Sequence, residues 1–389
     1  MTEEDVKTAF SMPQTTAMTH RLFIFNPDHE EALAEGSPTG TPGKAARMMA
    51  TNAWSLPGLL AGKGDYVVCP EKAVFRERAH NGLGLKTTDL TTDVWDDVGE
   101  ICPWGWDGRL VKQLSRLGAP QRLLPNEEAI DRLRRLSSRQ TVGTVLERLK
   151  ADVPEVCGES LWCTTFDEVV AALADIDGQA VAKVPWSCSG RGVFRVSRHP
   201  DKAQTARIGR ILERQGGIEI QPFYCACLNF AMEFDLRQGR ADYLGMSVFS
   251  SLPGGQYSGS LVALESRLRA LFPPTVLPAA ERVKDALLSL LPTLLCGIPD
   301  GPLGIDMMVC ETADGEFRLN PCIELNLRRT MGHVAIALTD RLDTKGLGMF
   351  SFKHISALTT DDGNLTPEAT DFAAVWTKLQ TERECWWYA

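Results

Sequence analysis

The chain has 389 residues, of which 44% are apolar, and a formal charge of −9 at neutral pH. That length gives room for two or three domains. The acidic balance argues against a general nucleic-acid binder, whose footprint is basic. No apolar run approaches the roughly 20 residues that cross a bilayer as a helix.

Residues 1–20 are polar and include acids, which predicts a disordered lead-in and no secretory signal. Eleven cysteines occur with scattered spacing and no CxxC pair. They predict reduced, buried thiols of a cytoplasmic protein. Cys225 and Cys227 form a CxC without a partner pair, which is a poor metal motif.

The first unit is expected over residues 21–125. Arg21–Phe25 reads as a strand running into the polar loop Asn26–Glu31, and Lys44–Leu60 reads as a helix with Pro42 near its start. Asp65–Cys69 is a second strand. Strand, polar loop and helix in that order describe an open α/β sheet, with ligands beyond the strand C-termini. The acidic cluster Asp28, Glu30 and Glu31 could bind a metal or an amine, with Asp28 and Glu30 orienting the amine, or could be a solvated loop with a helix cap. From Asp107 to Lys150 the leucine spacing is helical, with Leu110, Leu114 and Leu117 on one face.

An α+β unit is expected over 126–224. Ser160–Cys163 is strand-like, and Thr165-Phe-Asp-Glu168 is a capping box that opens a helix to about Asp175. Gln179–Val184 is a strand, followed by a small-residue loop through Gly192. Residues 201–215 are helical. Gly217–Pro222 is a strand with Ile218 and Ile220 on one face and Glu219 and Gln221 on the other. Over 225–345, Leu228–Leu236 and Ala241–Phe249 form a hairpin and Glu281–Leu295 a helix. Residues 346–389 read as a C-terminal tail whose aromatic end packs on the core or on a partner subunit.

The most informative stretch is Gly301–Gly332. Two apolar segments flank a turn containing Asp314-Gly315, which predicts a hairpin. In its second strand Glu324, Asn326 and Arg328 share one face. A three-residue turn with Gly315 in the left-handed position places Asp306 opposite Cys322, a diagonal step of roughly 7–8 Å from Glu324. A bulge at Pro321 could reset that register. Asp306, Glu324 and Asn326 together offer the oxygen ligands that suit Mg²⁺ alongside nucleotide phosphates.

The segments Val181-Ala-Lys183 through Gly192-Val, Ile218-Glu-Ile-Gln-Pro-Phe-Tyr224, and Gly304-Ile-Asp306 through Glu324-Leu-Asn326 resemble the ATP-grasp superfamily in order and spacing. The resemblance covers about residues 126–345. It implies two α+β lobes holding ATP between them, preceded by an N-terminal open α/β domain. It implies that Lys183 contacts the α/β phosphates and that the Ser187–Gly192 loop, with Ser187, Ser189, Gly190 and Gly192, closes over the β/γ phosphates. Gln221, Pro222, Phe223 and Tyr224 would form the hinge that reads adenine, and Asp306, Glu324 and Asn326 would hold Mg²⁺ ions. Arg139 stands where many relatives have lysine, and Gln221 where many have an acid. Near the position of the ribose-binding acid stand Leu228 and Asn229, with Glu233 slightly late.

The activity implied is an ATP-dependent ligase that activates a carboxylate as an acyl phosphate and joins it to an amine. Arg328 would hold the substrate carboxylate or the tetrahedral oxyanion, and Arg191 the γ-phosphate. Arg329 should point the other way. The alternatives are a kinase of a small hydroxyl substrate on the same scaffold, and a nucleotide-binding module without catalysis. The expected partners are small molecules, and a homodimer is possible.

Overall fold

The computed structural model describes residues 20–69, 85–90, 94–187, 192–252, 254–312, 315–341, 347–366 and 369–379. Residues 1–19 of the predicted lead-in, Ser189, Gly190, Arg191, Asp314 and the aromatic C-terminus lie outside them, while His20, read as the end of the lead-in, instead opens the first strand.

Three sheets organise the chain. The first has four parallel strands in the order Lys86–Thr88, Tyr66–Val68, His20–Ile24, Val98–Pro103. Leu22, Phe23 and Ile24 are all buried, as expected of a central parallel strand covered on both faces. The strand Val98–Pro103 was not foreseen, because Gly99 and Glu100 interrupt its apolar pattern. The helix read over 44–60 is in fact a helix over Lys44–Asn52 and a 3₁₀ turn over Leu56–Leu60. Pro57 accounts for the break: inside a continuous helix it would remove a hydrogen bond and clash with the preceding turn.

The second sheet is antiparallel, in the order Leu161–Cys163, Ile218–Pro222, Ala180–Lys183, Val193–Val196. Its two helices, Phe166–Asp175 and Lys202–Gln215, both begin with full capping boxes, at Thr165/Glu168 and Asp201/Gln204.

The third sheet has eight antiparallel strands. Phe317–Asn326 lies at one edge, followed by Gly301–Glu311, Cys225–Arg237 and Arg240–Ser251. Strict alternation divides its two faces. Phe230, Met232 and Phe234, with Leu303, Ile305 and Met307, point into a core closed by the helices Gln140–Asp152 and Leu277–Leu294. Ala231, Glu233, Asp306, Glu324 and Asn326 point the other way, into a cleft. The segment after 346, read as a tail, instead supplies three strands, Gly348–His354, Asp362–Asn364 and Phe372–Lys378, that extend this sheet. Phe25 and Trp104 from the N-terminal unit pack with Val334, Phe350 and Ala374 in one cluster.

Candidate active site

The Gly301–Glu311/Phe317–Asn326 hairpin carries the oxygen set. At its turn Gly315 has φ +79°, and its N–H donates to Thr312 O at 2.9 Å. Thr312 N–H donates to Glu316 O at 2.8 Å, which closes a three-residue loop as predicted. From there the pairing is Glu311 with Phe317 through Met308 with Asn320. A register shift then occurs between Asp306 and Met308, around Pro321, which has no N–H to donate. The shift spans two residues, so side-chain parity is kept. Asp306 therefore faces Glu324 directly rather than lying opposite Cys322, and Gly304 faces Asn326.

The electrostatics of this set is that of acids crowded together. The Asp306 carboxyl is pushed up to about 7 by removal from water and by the facing Glu324, against a hydrogen bond from Asn326. Among the described residues no three His, Cys, Asp or Glu side chains converge as a metal site on their own. Two carboxylates and an amide fit Mg²⁺, which completes its shell from phosphates and water.

Two cations from the 126–224 unit reach across to the hairpin. Arg139 is buried, with Nη2 donating to Glu324 Oε1 at 2.9 Å and to Ser187 Oγ at 3.1 Å, and Nε donating to Val184 O at 3.0 Å. Burial pulls its pKa down, but Glu324 and Glu219 outweigh that and hold it above the ordinary arginine value. Lys183 is also buried, donates to Ile323 O at 3.2 Å and lies 3.8 Å from Glu219 Oε2. Removal from water holds its pKa below the usual lysine value despite Glu219. Glu219 is fully buried and accepts from Ser160 Oγ and Gln221 Nε2, each at 2.6 Å. Sequence reasoning placed it on the polar face of its strand and assigned it no role. The available signal was an acid between two isoleucines, next to the strand that carries Lys183.

In the segment expected to form the hinge, Phe223 N–H already donates to Gln179 O at 2.7 Å, so it is not free to read a base. The Phe223 ring is exposed and covered by the Arg195 guanidinium at 4.1 Å. Pro222 pairs with Ala180 at the strand end, and burial pushes the Tyr224 phenol up. Asn229 lies opposite Met308 and Phe249, on the cleft face. Gly192 belongs where the loop returns: a Cβ there would come within 2.3 Å of the Val184 side chain and 2.6 Å of Ser187 Cβ.

Arg328 lines the cleft with its Nε donating to Glu30 Oε1 at 2.7 Å. The strand ends at Asn326, so its alternation does not extend to Arg329, whose guanidinium lies 5.2 Å from the Phe23 ring. Asp28 does not share the role expected with Glu30. Its carboxylate accepts from Arg109 Nη1 at 2.7 Å, and it is absent from the cleft lining. The cleft has a volume of about 520 Å³ and lies between the eight-stranded sheet, the Phe25–Glu31 loop and the helix Lys44–Asn52.

Glu233 is not a ribose ligand beside the hinge. It faces Gly304, fully buried, and glycines at 304 and 332 admit its carboxylate: a Cβ at either would come within 2.4 or 1.8 Å of it. Ser247 Oγ donates to its Oε1 at 3.0 Å, and His333 Nδ1 lies 3.1 Å from its Oε2. That Nδ1 accepts from Thr330 N–H at 3.1 Å and so carries no proton. Two acceptors that close favour a proton on the acid, and burial pushes Glu233 up to about 8. A raised folded pKa means stability is greatest below the unfolded value near 4.5 and falls as pH rises to about 8. Urea unfolding from pH 5 to 8.5 should show Glu233→Gln losing up to about 1.4 kcal/mol per pH unit of the wild-type slope.

No protein-family model matches the sequence, and no curated protein matches it. Solved structures do. Biotin carboxylase from Campylobacter jejuni superimposes with a TM-score of 0.54 at 12% identity, over 94% of this chain and 88% of that one. N5-carboxyaminoimidazole synthetase from Staphylococcus aureus, complexed with ADP, gives 0.53 at 8% identity, over 95% and 96%. N5-carboxyaminoimidazole ribonucleotide synthetase from Thermus thermophilus gives 0.51 at 12%, over 93% and 94%. The chain has the ATP-grasp fold. No helix among the described residues is long and apolar enough to cross a membrane.

Proposed function

We propose that this protein is an ATP-dependent carboxylate–amine ligase that binds ATP with Mg²⁺ between the Leu161–Val196 sheet and the Asp306/Glu324/Asn326 hairpin. The observation that carries the reading is the convergence of Asp306, Glu324 and Asn326, which line a cleft large enough for small-molecule substrates, with Lys183 and Arg139. The structures complexed with ADP or ATP among its fold neighbours support it.

Asp306, Glu324 and Asn326 would hold Mg²⁺. When bound, the ion would spread the charge of a transferring phosphoryl group. Lys183 supplies a positive point charge to the phosphates, and Arg139 a planar fork that Ser187, Val184 and Glu324 already orient. Arg328, held by Glu30, presents its guanidinium to the substrate carboxylate or the oxyanion formed on attack. Ser189, Gly190 and Arg191 would complete the loop over the phosphates, and closure would keep water from the activated acid. Asn229 would approach the ribose from the cleft face. Gln221, Pro222 and Tyr224 remain the proposed adenine contacts, through carbonyls rather than the occupied Phe223 N–H.

A malachite-green screen of carboxylic acids against amines tests this. Phosphate and ADP should appear only with both substrates present, and mass spectrometry should find their condensation product. ADP without free phosphate would mean a kinase. Nucleotide binding with no turnover across the screen would mean a binding module.

A further inference from the structure

The cleft described above has an uneven chemistry. Its acids are Glu30, Glu31, Glu233, Asp306 and Glu324, and Arg328 is the single Lys or Arg among its described lining residues. That arginine is already paired with Glu30. Asp306 and Glu324 are the proposed Mg²⁺ ligands, and Glu233 is sealed beneath Gly304 and Gly332. Glu31 remains. Its Oε2 accepts from Gly43 N–H at 2.8 Å, and its Oε1 accepts no hydrogen bond among the described residues.

The cleft lining also carries an apolar group, Met48, Met49, Phe249, Phe352 and Phe372, and the helix of Met48 and Met49 is tied through Asn52 to the backbone just before Phe372. The polar groups there are already satisfied. Asn52 Oδ1 accepts from Thr370 and Asp371 N–H at 2.6 and 2.8 Å, and its Nδ2 donates to Met48 O at 2.8 Å. Tyr257 and Ser260 hydroxyls bond each other at 2.8 Å. A polar ligand group here would lose its water and find little in return. An apolar group would displace water from methionine and aromatic surface.

We propose, resting on the ligase reading, that the nucleophile enters as a primary ammonium with an apolar, ring-sized body. Glu31, with Glu30 behind Arg328, holds the ammonium. Met48, Met49, Phe352 and Phe372 hold the body. One proton leaves the ammonium to solvent and frees its lone pair for attack on the acyl carbon; as the C–N bond forms and the acyl C–O bond to phosphate breaks, the second proton leaves the nitrogen with the departing phosphate.

Isothermal titration of the Mg·ADP-loaded full chain tests this with three probes. Phenethylammonium should bind about tenfold or more tighter than ethanolammonium, which lacks the ring, and than phenylacetate, which reverses the charge. Glu31→Gln and Phe372→Ala should each weaken phenethylammonium by about tenfold, and Phe372→Leu should recover most of that loss. Mg·ADP binding by the same variants shows that they are folded. Equal or tighter binding of phenylacetate or ethanolammonium overturns the proposal. Selective phenethylammonium binding without acid-dependent phosphate release keeps the site and overturns the ligase reading instead.

Discussion

Replacing Glu324 by alanine should abolish ATP-dependent turnover, with kcat falling by about 10³ or more. Glu324 stands directly across from Asp306 and accepts the Arg139 guanidinium at 2.9 Å. Removing it takes one of two carboxylates from the proposed Mg²⁺ set and leaves a buried arginine without its closest partner. The second loss should cost about 2 kcal/mol in urea unfolding, less than for a fully buried pair because the Glu324 side chain is 24% exposed. Glu324→Gln separates the two effects: its amide oxygen still accepts from Arg139, so stability should largely return while turnover stays lost. Turnover by Glu324→Gln near the wild-type rate would rule out the metal assignment.

Lys183→Met should eliminate measurable ATP binding and destabilise the protein by about 3 kcal/mol. The stem of the side chain is kept, so packing changes little. What changes is charge: Glu219, fully buried, loses the ammonium 3.8 Å from its Oε2, an oxygen with no hydrogen bond of its own. The remedy should be specific. In the double variant Lys183→Met/Glu219→Gln no unpaired charge remains, and most of the lost stability should return, giving a coupling energy of about 2 kcal/mol in the mutant cycle. ATP binding should not return, because the proposed phosphate contact is still missing. A double variant no more stable than Lys183→Met would mean that Glu219 is not the partner of Lys183.

Much of this site was legible before the fold was known. Alternation along a strand is a local property of the backbone, so Glu324 and Asn326 could be placed on one face from spacing alone, whereas Arg328 and Arg329 lie past the strand end at Asn326, where that rule stops. Gly315 announced the left-handed position that a three-residue turn requires. Capping at Thr165 and Glu168 was equally plain, because the box closes within one turn of helix. Even the Pro321 bulge was visible as a possibility, although its two-residue size was not.

What stayed hidden depends on residues distant in sequence. The pairing of Lys183 with Glu219 and the reach of Arg139 to Glu324, 185 positions away, arise only when two sheets meet. Nothing local distinguishes a buried acid from a solvated one. Asp28 and Glu30 are near neighbours in the chain, yet Arg109 takes the first and Arg328 the second. Glu233 fell close to the expected ribose position, but Gly304 and Gly332, the residues that make room for it, come from another strand and a helix start. The tail became sheet because the Tyr257–Val262 strand offered it an unpaired edge. Backbone periodicity thus chose which side chains share a face, and packing between distant segments chose which of them meet a partner, a cation or water.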